Sequence, residues 1–103
     1  MKSDTVYLNQ IKDSIRKIEL FSKGYTKTEF MEDAKTQSAV IMQLTLIGEV
    51  SKKISDETKA KIDLPWKNVA GFRDKAIHNY FDIDLDIVWT TVCEDIPLLK
   101  QAL

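Results

Sequence analysis

The residues best suited to chemistry lie in one short stretch around His78, the single histidine of the chain. Asp74 precedes His78 by four residues, so in a helix the two side chains share a face. A carboxylate at that position can fix the imidazole tautomer and favour the charged form of the ring. Arg73 and Tyr80, seven residues apart, would also share a helix face. The cluster is chemically mixed, and its spacing alone leaves the reaction open.

The angle between Arg73 and His78 poses a geometric problem. Five residues apart, the two side chains are separated by about 140° around an ideal helix. A straight helix would therefore not direct both at one substrate atom. Three arrangements would remove the conflict. The helix could end near His78, the Arg73 side chain could reach across to the face of His78, or a second subunit could complete the site.

Simpler interpretations of these residues compete with catalysis, and the sequence excludes several other kinds of site. A lone histidine near a helix end often caps the helix, and an arginine beside an aspartate often forms a surface ion pair. Three scattered glycines cannot form a phosphate-binding loop. No serine or cysteine pairs with His78 as a nucleophile, and no HExxH is present, so we expect neither a metal site nor a cofactor. Cys93, in an apolar stripe, is expected to be a small buried side chain.

Helices must position these residues, because proline and glycine are scarce and apolar residues recur at helical spacing. A first helix over 4–23 ends before Gly24, and Thr26 with Glu29 has the spacing of a capping box. Three more helices are predicted over 33–54, over 56–62 with Ser55 as its cap, and over 65–78. A final helix follows Asp84, its N-cap. The predicted core stripes are Leu8, Ile11, Ile15 and Ile18; Val40, Leu44, Ile47 and Ile54; and Leu85, Val88, Trp89, Val92, Ile96 and Leu99.

Two residues inside these helices carry further predictions. Gly48 costs about 1 kcal/mol relative to alanine in a helix, which indicates that a neighbouring helix approaches closely there. Pro97 predicts a kink or a shortening of the final helix. With no strand-like alternation in the sequence, the fold class is predicted to be all-α, one bundle of about five helices.

Length and composition set the class of protein. The chain has 103 residues, 44% of them hydrophobic, which predicts one domain over 1–103 with a real core. The formal charge of −1 excludes a globally basic surface, so any nucleic-acid binding must come from a local patch or from two patches joined in a dimer. No stretch reaches the roughly 18 apolar residues of a membrane span. We expect a cytoplasmic protein with no membrane partner.

The cluster and its flanks resemble a known family. Arg73, four residues, His78, one residue and Tyr80 together match the Arg-x4-His-x-Tyr motif of HEPN domains of the HepT group, the toxins of HEPN–MNT toxin–antitoxin pairs. The resemblance covers most of the chain and extends to segments outside the motif: Ile47-Gly48-Glu49, Leu64-Pro65-Trp66-Lys67, Gly71-Phe72-Arg73 and Val88-Trp89.

The resemblance implies a metal-independent RNA endonuclease in which the RNA 2′-hydroxyl attacks the neighbouring phosphate. His78 would then carry protons, Arg73 would stabilise the phosphate, and Asp74 would orient its neighbours. The resemblance also implies a homodimer and a nucleotidyltransferase antitoxin that transfers AMP to Tyr80. We expect Tyr80 to face the cleft and Phe81 to be buried, because neighbouring side chains on an extended segment diverge.

The distribution of charge permits RNA binding on the side of the motif. Three basic residues and one acidic residue lie between Pro65 and Tyr80, whereas five carboxylates and no basic residue follow from Phe81 to Asp95. Two alternatives to a ribonuclease toxin stay open. The chain could be a non-catalytic HEPN-like subunit that binds nucleotide or protein in a nucleotidyltransferase complex, or an unrelated helical interaction protein. Growth arrest on expression that is lost when His78 is replaced by alanine would favour the ribonuclease toxin over both alternatives.

Overall fold

A computed structural model of the protein describes residues 3–79 and 81–103, and helices dominate them. The all-α prediction is confirmed, apart from a two-stranded hairpin. In chain order the elements are α1 (Asp4–Ser22), α2 (Lys27–Glu32), α3 (Ala34–Ser51), α4 (Asp56–Lys61), α5 (Trp66–Ala70), α6 (Phe72–Ala76), β1 (Ile77–Asn79), β2 (Asp82–Ile83), α7 (Leu85–Thr90), a π-helical segment (Thr91–Asp95) and α8 (Ile96–Ala102).

The core forms where α1 and α3 pack along each other and the later helices cover them. The predicted stripes supply its buried side chains, and each large aliphatic one contributes about 1.5–3 kcal/mol by leaving water. Leu8 and Trp89 of those stripes are half-buried and pack against the core, and Leu85 is half-buried. The buried members are Ile11, Ile15, Ile18, Val40, Leu44, Ile47, Ile54, Val88, Val92, Ile96 and Leu99.

Several predicted helix starts and stops are confirmed, although α3 ends at Ser51, three residues before the predicted end at 54. Gly24 follows α1 with a φ of 77°, a left-handed conformation that glycine adopts without steric cost. Thr26 and Glu29 form a reciprocal capping box at the start of α2. Side-chain oxygens of Ser55 and Asp84 accept hydrogen bonds from the first turns of α4 and α7. These caps satisfy backbone N–H groups that a helix start otherwise leaves without partners.

Asp33, the N-cap of α3, gives the fold a titratable cap. Its carboxylate accepts hydrogen bonds from the Tyr25 hydroxyl at 2.5 Å, from the Thr36 backbone N–H at 3.1 Å and from the Thr36 hydroxyl at 2.8 Å. These bonds, the one from Tyr25 first, lower the pKa of Asp33 from 3.8 to about 2. The bonds favour the ionised form, so the carboxylate stabilises the folded chain only while it is charged.

We expect this contribution to be complete above pH 3.8 and to be lost as the pH falls toward about 2. Asp33→Asn is the matched control, because the amide keeps the N-cap acceptor but does not titrate in this range. Urea midpoints of both proteins, measured across that pH window, should converge as the pH falls. Asp4, Asp13 and Glu29 also have lowered pKa values, so the difference between the two proteins isolates Asp33. Parallel pH profiles would contradict the assignment.

The prediction of one helix over 65–78 is wrong in two places. Gly71 separates α5 from α6 with φ −88° and ψ 5°, outside helical values, and α6 then ends at Ala76. The next residue, Ile77, is extended at φ −115° and ψ 102°, and β1 pairs antiparallel with β2. Strands of three and two residues are too short to show alternation, so the sequence pattern did not reveal them.

The final helical run is interrupted just before Pro97. A π-helical segment precedes α8, and Pro97 takes the second position of α8. Proline cannot donate to the carbonyl four residues earlier, and a wider turn accommodates this loss. The buried position predicted for Cys93 is also wrong. Cys93 is exposed, because Val92 and Ile96 occupy the inward face of this run.

Among the described residues, none of the helices combines the length and the apolar character that crossing a bilayer requires.

Candidate functional site

Helix α6 holds Arg73 on the surface by burying its opposite face. Phe72 and Ala76, four residues apart, retain 7% and 0% of their exposure and belong to the core. Arg73, Asp74 and Lys75 lie between them and are exposed. Because the two buried side chains fix the rotation of the helix, the three charged side chains are directed to solvent.

A close approach of two helices sets the position of this region on the core. A Cβ atom on Gly48 would lie 3.3 Å from the carbonyl oxygen of Val69 and 3.4 Å from that of Ala70. The backbone of α5 therefore lies against α3 at a point where a side chain would crowd it. This confirms the close approach predicted from Gly48, and it explains why the helix tolerates a glycine there.

His78 lies in the hairpin rather than on the helix. Ile77 pairs with Ile83 and Asn79 pairs with Asp82, so β1 advances two residues while β2 advances one. His78 is the additional residue of this β-bulge, a feature that redirects side chains and is frequent next to active sites. Ile77 and Ile83 pack partly buried against the core, whereas His78 is exposed. The isoleucine pair anchors the hairpin and leaves the imidazole accessible.

The helix end resolves the geometric problem that the sequence posed. Since α6 stops two residues before His78, the 140° separation of an ideal helix does not apply, and Arg73 and His78 lie on two consecutive elements. Of the three arrangements considered, the first is the one observed. The same break removes the expected i,i+4 relation between Asp74 and His78. Within residues 3–79 and 81–103, no hydrogen bond or ion pair joins Asp74 to His78, and Asp74 lies on the exposed face beside Arg73.

Asp84 closes the connection from the far side. Its backbone N–H donates to the carbonyl oxygen of Ala76 at 2.7 Å, and its carboxylate accepts from the Ile87 N–H at 3.1 Å. Asp84 thereby provides a hydrogen-bond partner for a carbonyl at the C-terminal end of α6 and for an N–H in the first turn of α7. The hairpin that carries His78 is held between these two bonds.

The burial predicted for Phe81 is wrong. It was predicted to be buried, but its side chain is 101% exposed, whereas the other exposed large hydrophobic residues of the described chain range from 39% to 63%. Ile77 and Ile83 occupy the inward positions of the hairpin, which leaves no space for Phe81. The Phe81 N–H donates to the Asn79 side-chain oxygen at 2.8 Å. Tyr80 lies outside the described residues, so its predicted direction stays a prediction.

The charges around the hairpin match the distribution seen in the sequence. Lys67, Arg73 and Lys75 are exposed on α5 and α6. In the described part of the chain, the ion pairs that form involve other lysines and arginines, including one between Lys27 and Asp86 at 2.8 Å. The Arg73 side chain is therefore exposed to solvent, on the element that precedes His78, where an anion can reach it.

Two cavities of the described residues are separate from this surface. One, of about 230 Å³, lies between α3, α5, α6 and the final helical run, with mostly aliphatic walls and the charged groups Lys75 and Asp95. The other, of about 450 Å³, is an open depression between α1 and α3. Arg73 and His78 line neither of them. Among the residues described, no three histidine, cysteine, aspartate or glutamate side chains lie close enough together to hold a metal ion.

Comparison with known proteins identifies relatives over nearly the whole chain. A family model described as "Ribonuclease HepT-like" matches residues 11–103. The "Probable ribonuclease HepT" of Thermococcus cleftensis is 44% identical over 100 residues, which cover 96% of this chain and 91% of that protein. No solved structure matched.

Two relatives from Methanocaldococcus jannaschii have "putative RNase" in their names. One, also named a gamma-glutamylcyclotransferase, is 39% identical over 105 residues; these cover 100% of this chain but 47% of that protein. The other is 38% identical over 97 residues, which cover 93% of this chain and 80% of that protein.

Proposed function

Because this chain belongs to the HepT-like ribonuclease family, we propose that it is a metal-independent RNA endonuclease and the toxin of a HEPN–MNT toxin–antitoxin pair. The observation that carries the proposal is the placement of Arg73 and His78. Both side chains are exposed on consecutive elements that buried neighbours hold in place. A toxin that acts on cellular RNA works in the cytoplasm, which is where we place it.

The proposed reaction is an intramolecular transesterification of the RNA. The 2′-oxygen forms a bond to the adjacent phosphorus as its proton passes to a base. The bond from phosphorus to the 5′-oxygen then breaks, and that oxygen takes up a proton. The products are a 2′,3′-cyclic phosphate and a free 5′-hydroxyl. An imidazole can accept a proton at one ring nitrogen and donate one from the other, so His78 suits either proton transfer.

Arg73 suits the phosphate in this reaction. Its guanidinium can hold two phosphate oxygens at once, which stabilises the charge that accumulates at phosphorus. Asp74, the next residue on the same exposed face, is proposed to orient Arg73 rather than His78, since α6 ends between Asp74 and His78. This changes the partner that the helical spacing first indicated for Asp74.

The proposed reaction is tested by its requirement for the attacking hydroxyl. An RNA oligonucleotide that the purified chain cleaves should resist cleavage when the nucleotide 5′ to the scissile phosphate is 2′-deoxy. The unmodified RNA should give cyclic phosphate and 5′-hydroxyl ends, at an unchanged rate in EDTA. Cleavage of the deoxy substrate, or complete inhibition by EDTA, would contradict the mechanism. A purified chain that binds RNA or nucleotide without cutting any RNA would instead favour the non-catalytic subunit.

We also propose that the active form is a homodimer. One chain offers a small basic surface, and a two-fold axis beside the motif would double it and bring two copies of Arg73 and His78 to one cleft. One histidine could then accept the proton from the 2′-oxygen while the other donates to the 5′-oxygen. Light scattering should report about twice the 11.8 kDa mass of the chain. A monomer that cleaves RNA at full rate would contradict this part of the proposal.

Control of the toxin is proposed to act on Tyr80. A partner nucleotidyltransferase of the MNT type would transfer AMP from ATP to the tyrosine hydroxyl, which forms an O–P bond and releases pyrophosphate. Each AMP adds a negatively charged phosphodiester and a nucleoside within a few residues of Arg73 and His78. The modification would compete with RNA for the Arg73 guanidinium and obstruct the cleft.

A further inference from the structure

Phe81 stands apart from every other large hydrophobic side chain that the structure describes. Its ring is fully exposed, and it lies three residues after His78 in the short connection between β1 and β2. Burying a phenylalanine side chain stabilises a fold by about 1.5–3 kcal/mol, and the exposed Phe81 does not make this contribution. The ring therefore lies free three residues after the proposed catalytic histidine.

The backbone N–H of Phe81 and the neighbouring strands make local contacts. The Asn79 side-chain oxygen accepts from the Phe81 N–H at 2.8 Å, and Asn79 pairs with Asp82 across the hairpin. The Ile77–Ile83 pair anchors the base of the hairpin to the core. An exposed ring on a backbone held in this way loses little conformational entropy when a flat partner covers it.

We propose that Phe81 stacks on an unpaired nucleobase next to the scissile phosphate, and so selects single-stranded RNA. Three residues span at most about 10–11 Å, which keeps the ring within one or two nucleotides of a phosphate held at His78. A base can lie on an aromatic ring only when it is free of a duplex, and single-stranded segments are the usual targets of such contacts. The inference rests on the proposed ribonuclease function and names the class of substrate for the same site.

Binding to RNA that cannot be cleaved tests the proposal without relying on catalysis. The probe is a single-stranded 2′-O-methyl oligoribonucleotide, which lacks the attacking hydroxyl, and its Kd is measured by fluorescence anisotropy. Phe81→Ala should raise the Kd by roughly 5- to 150-fold, the range expected for loss of one stacked base. Phe81→Trp should bind at least as well as wild type. Phe81→Leu, which keeps apolar area without a ring, should bind as weakly as the alanine variant.

Two further measurements distinguish stacking on a base from a role of Phe81 in folding or in a protein contact. Annealing the probe to its complement should remove the difference between wild type and Phe81→Ala. Thermal unfolding and light scattering of Phe81→Ala should match wild type, since the ring contacts no core residue. Unchanged binding in Phe81→Ala, wild-type binding in Phe81→Leu, or a smaller assembly in Phe81→Ala would each overturn the proposal. The last result would assign the ring to a protein contact.

The binding and cleavage results also distinguish this inference from the proposed function. If wild type cleaves natural RNA while Phe81→Ala binds and cleaves equally well, the stacking role fails and the ribonuclease stands. If binding depends on Phe81 but wild type cleaves no RNA, the stacking role stands and the ribonuclease fails.

Discussion

Replacing His78 with alanine should reduce RNA cleavage by about 10²–10⁴-fold, the usual contribution of a positioned acid or base. The substitution removes the imidazole that would take the proton from the 2′-hydroxyl or supply one to the leaving 5′-oxygen. Expression of the variant should no longer arrest growth. His78 is exposed at a β-bulge, so its loss should leave the helical circular dichroism signal and the melting temperature nearly unchanged.

The control for this experiment is Asn9→Ala, an exposed polar position on α1. It should cleave RNA and arrest growth as wild type does. Initial rates on one RNA oligonucleotide, measured at equal concentrations of folded protein, give the comparison. His78→Ala with undiminished cleavage would remove the histidine from the mechanism. If the variant loses helical signal together with activity, the role assigned to His78 is structural.

Replacing Tyr80 with phenylalanine should abolish neutralisation by the antitoxin while leaving cleavage of RNA intact. Phenylalanine keeps the ring but lacks the oxygen that would bond to the α-phosphorus of ATP. Incubation of wild type with its cognate nucleotidyltransferase and ATP should raise the mass of the chain by one or more AMP units, and the variant should gain none. In cells, Tyr80→Phe should remain toxic when the antitoxin is co-expressed.

Tyr7 provides the matched control, since the chain has three tyrosines and the hydroxyl of Tyr25 bonds to Asp33. Tyr7→Phe should gain AMP and be neutralised like wild type. Peptide mapping of the modified chain locates the adduct directly. An adduct on another residue, or neutralisation of Tyr80→Phe to the same extent as wild type, would limit Tyr80 to packing or to contact with RNA.

The sequence alone was sufficient for the helical class, for most helix ends and for the residues of the motif. These features depend on local information. The Thr26–Glu29 capping box and the caps at Ser55 and Asp84 join groups three residues apart. Apolar spacing identifies the inward face of a long helix, and the motif is a property of the chain order itself.

The close approach at Gly48 could also be predicted, because a glycine inside a long helix usually has a packing reason. The sequence did not say which neighbour would approach. The structure identifies it as the backbone of Val69 and Ala70, only a few residues before Arg73. A tertiary contact therefore positions α5, the helix directly before the one that carries Arg73.

The tertiary structure decided how the motif is presented. Differences in helix propensity amount to at most about 0.7 kcal/mol for an ordinary residue, so a long-range interaction can end a helix that local spacing favours. Here the pairing of Ile77 with Ile83 and the bond from the Asp84 N–H to the Ala76 carbonyl replace the helical bonds beyond Ala76. His78 thereby becomes the bulged residue of a hairpin, and Phe81 is excluded from the core because both inward positions are taken by isoleucines. Chain order thus determined which side chains are available for chemistry, and competition for space in the core determined which of them face solvent.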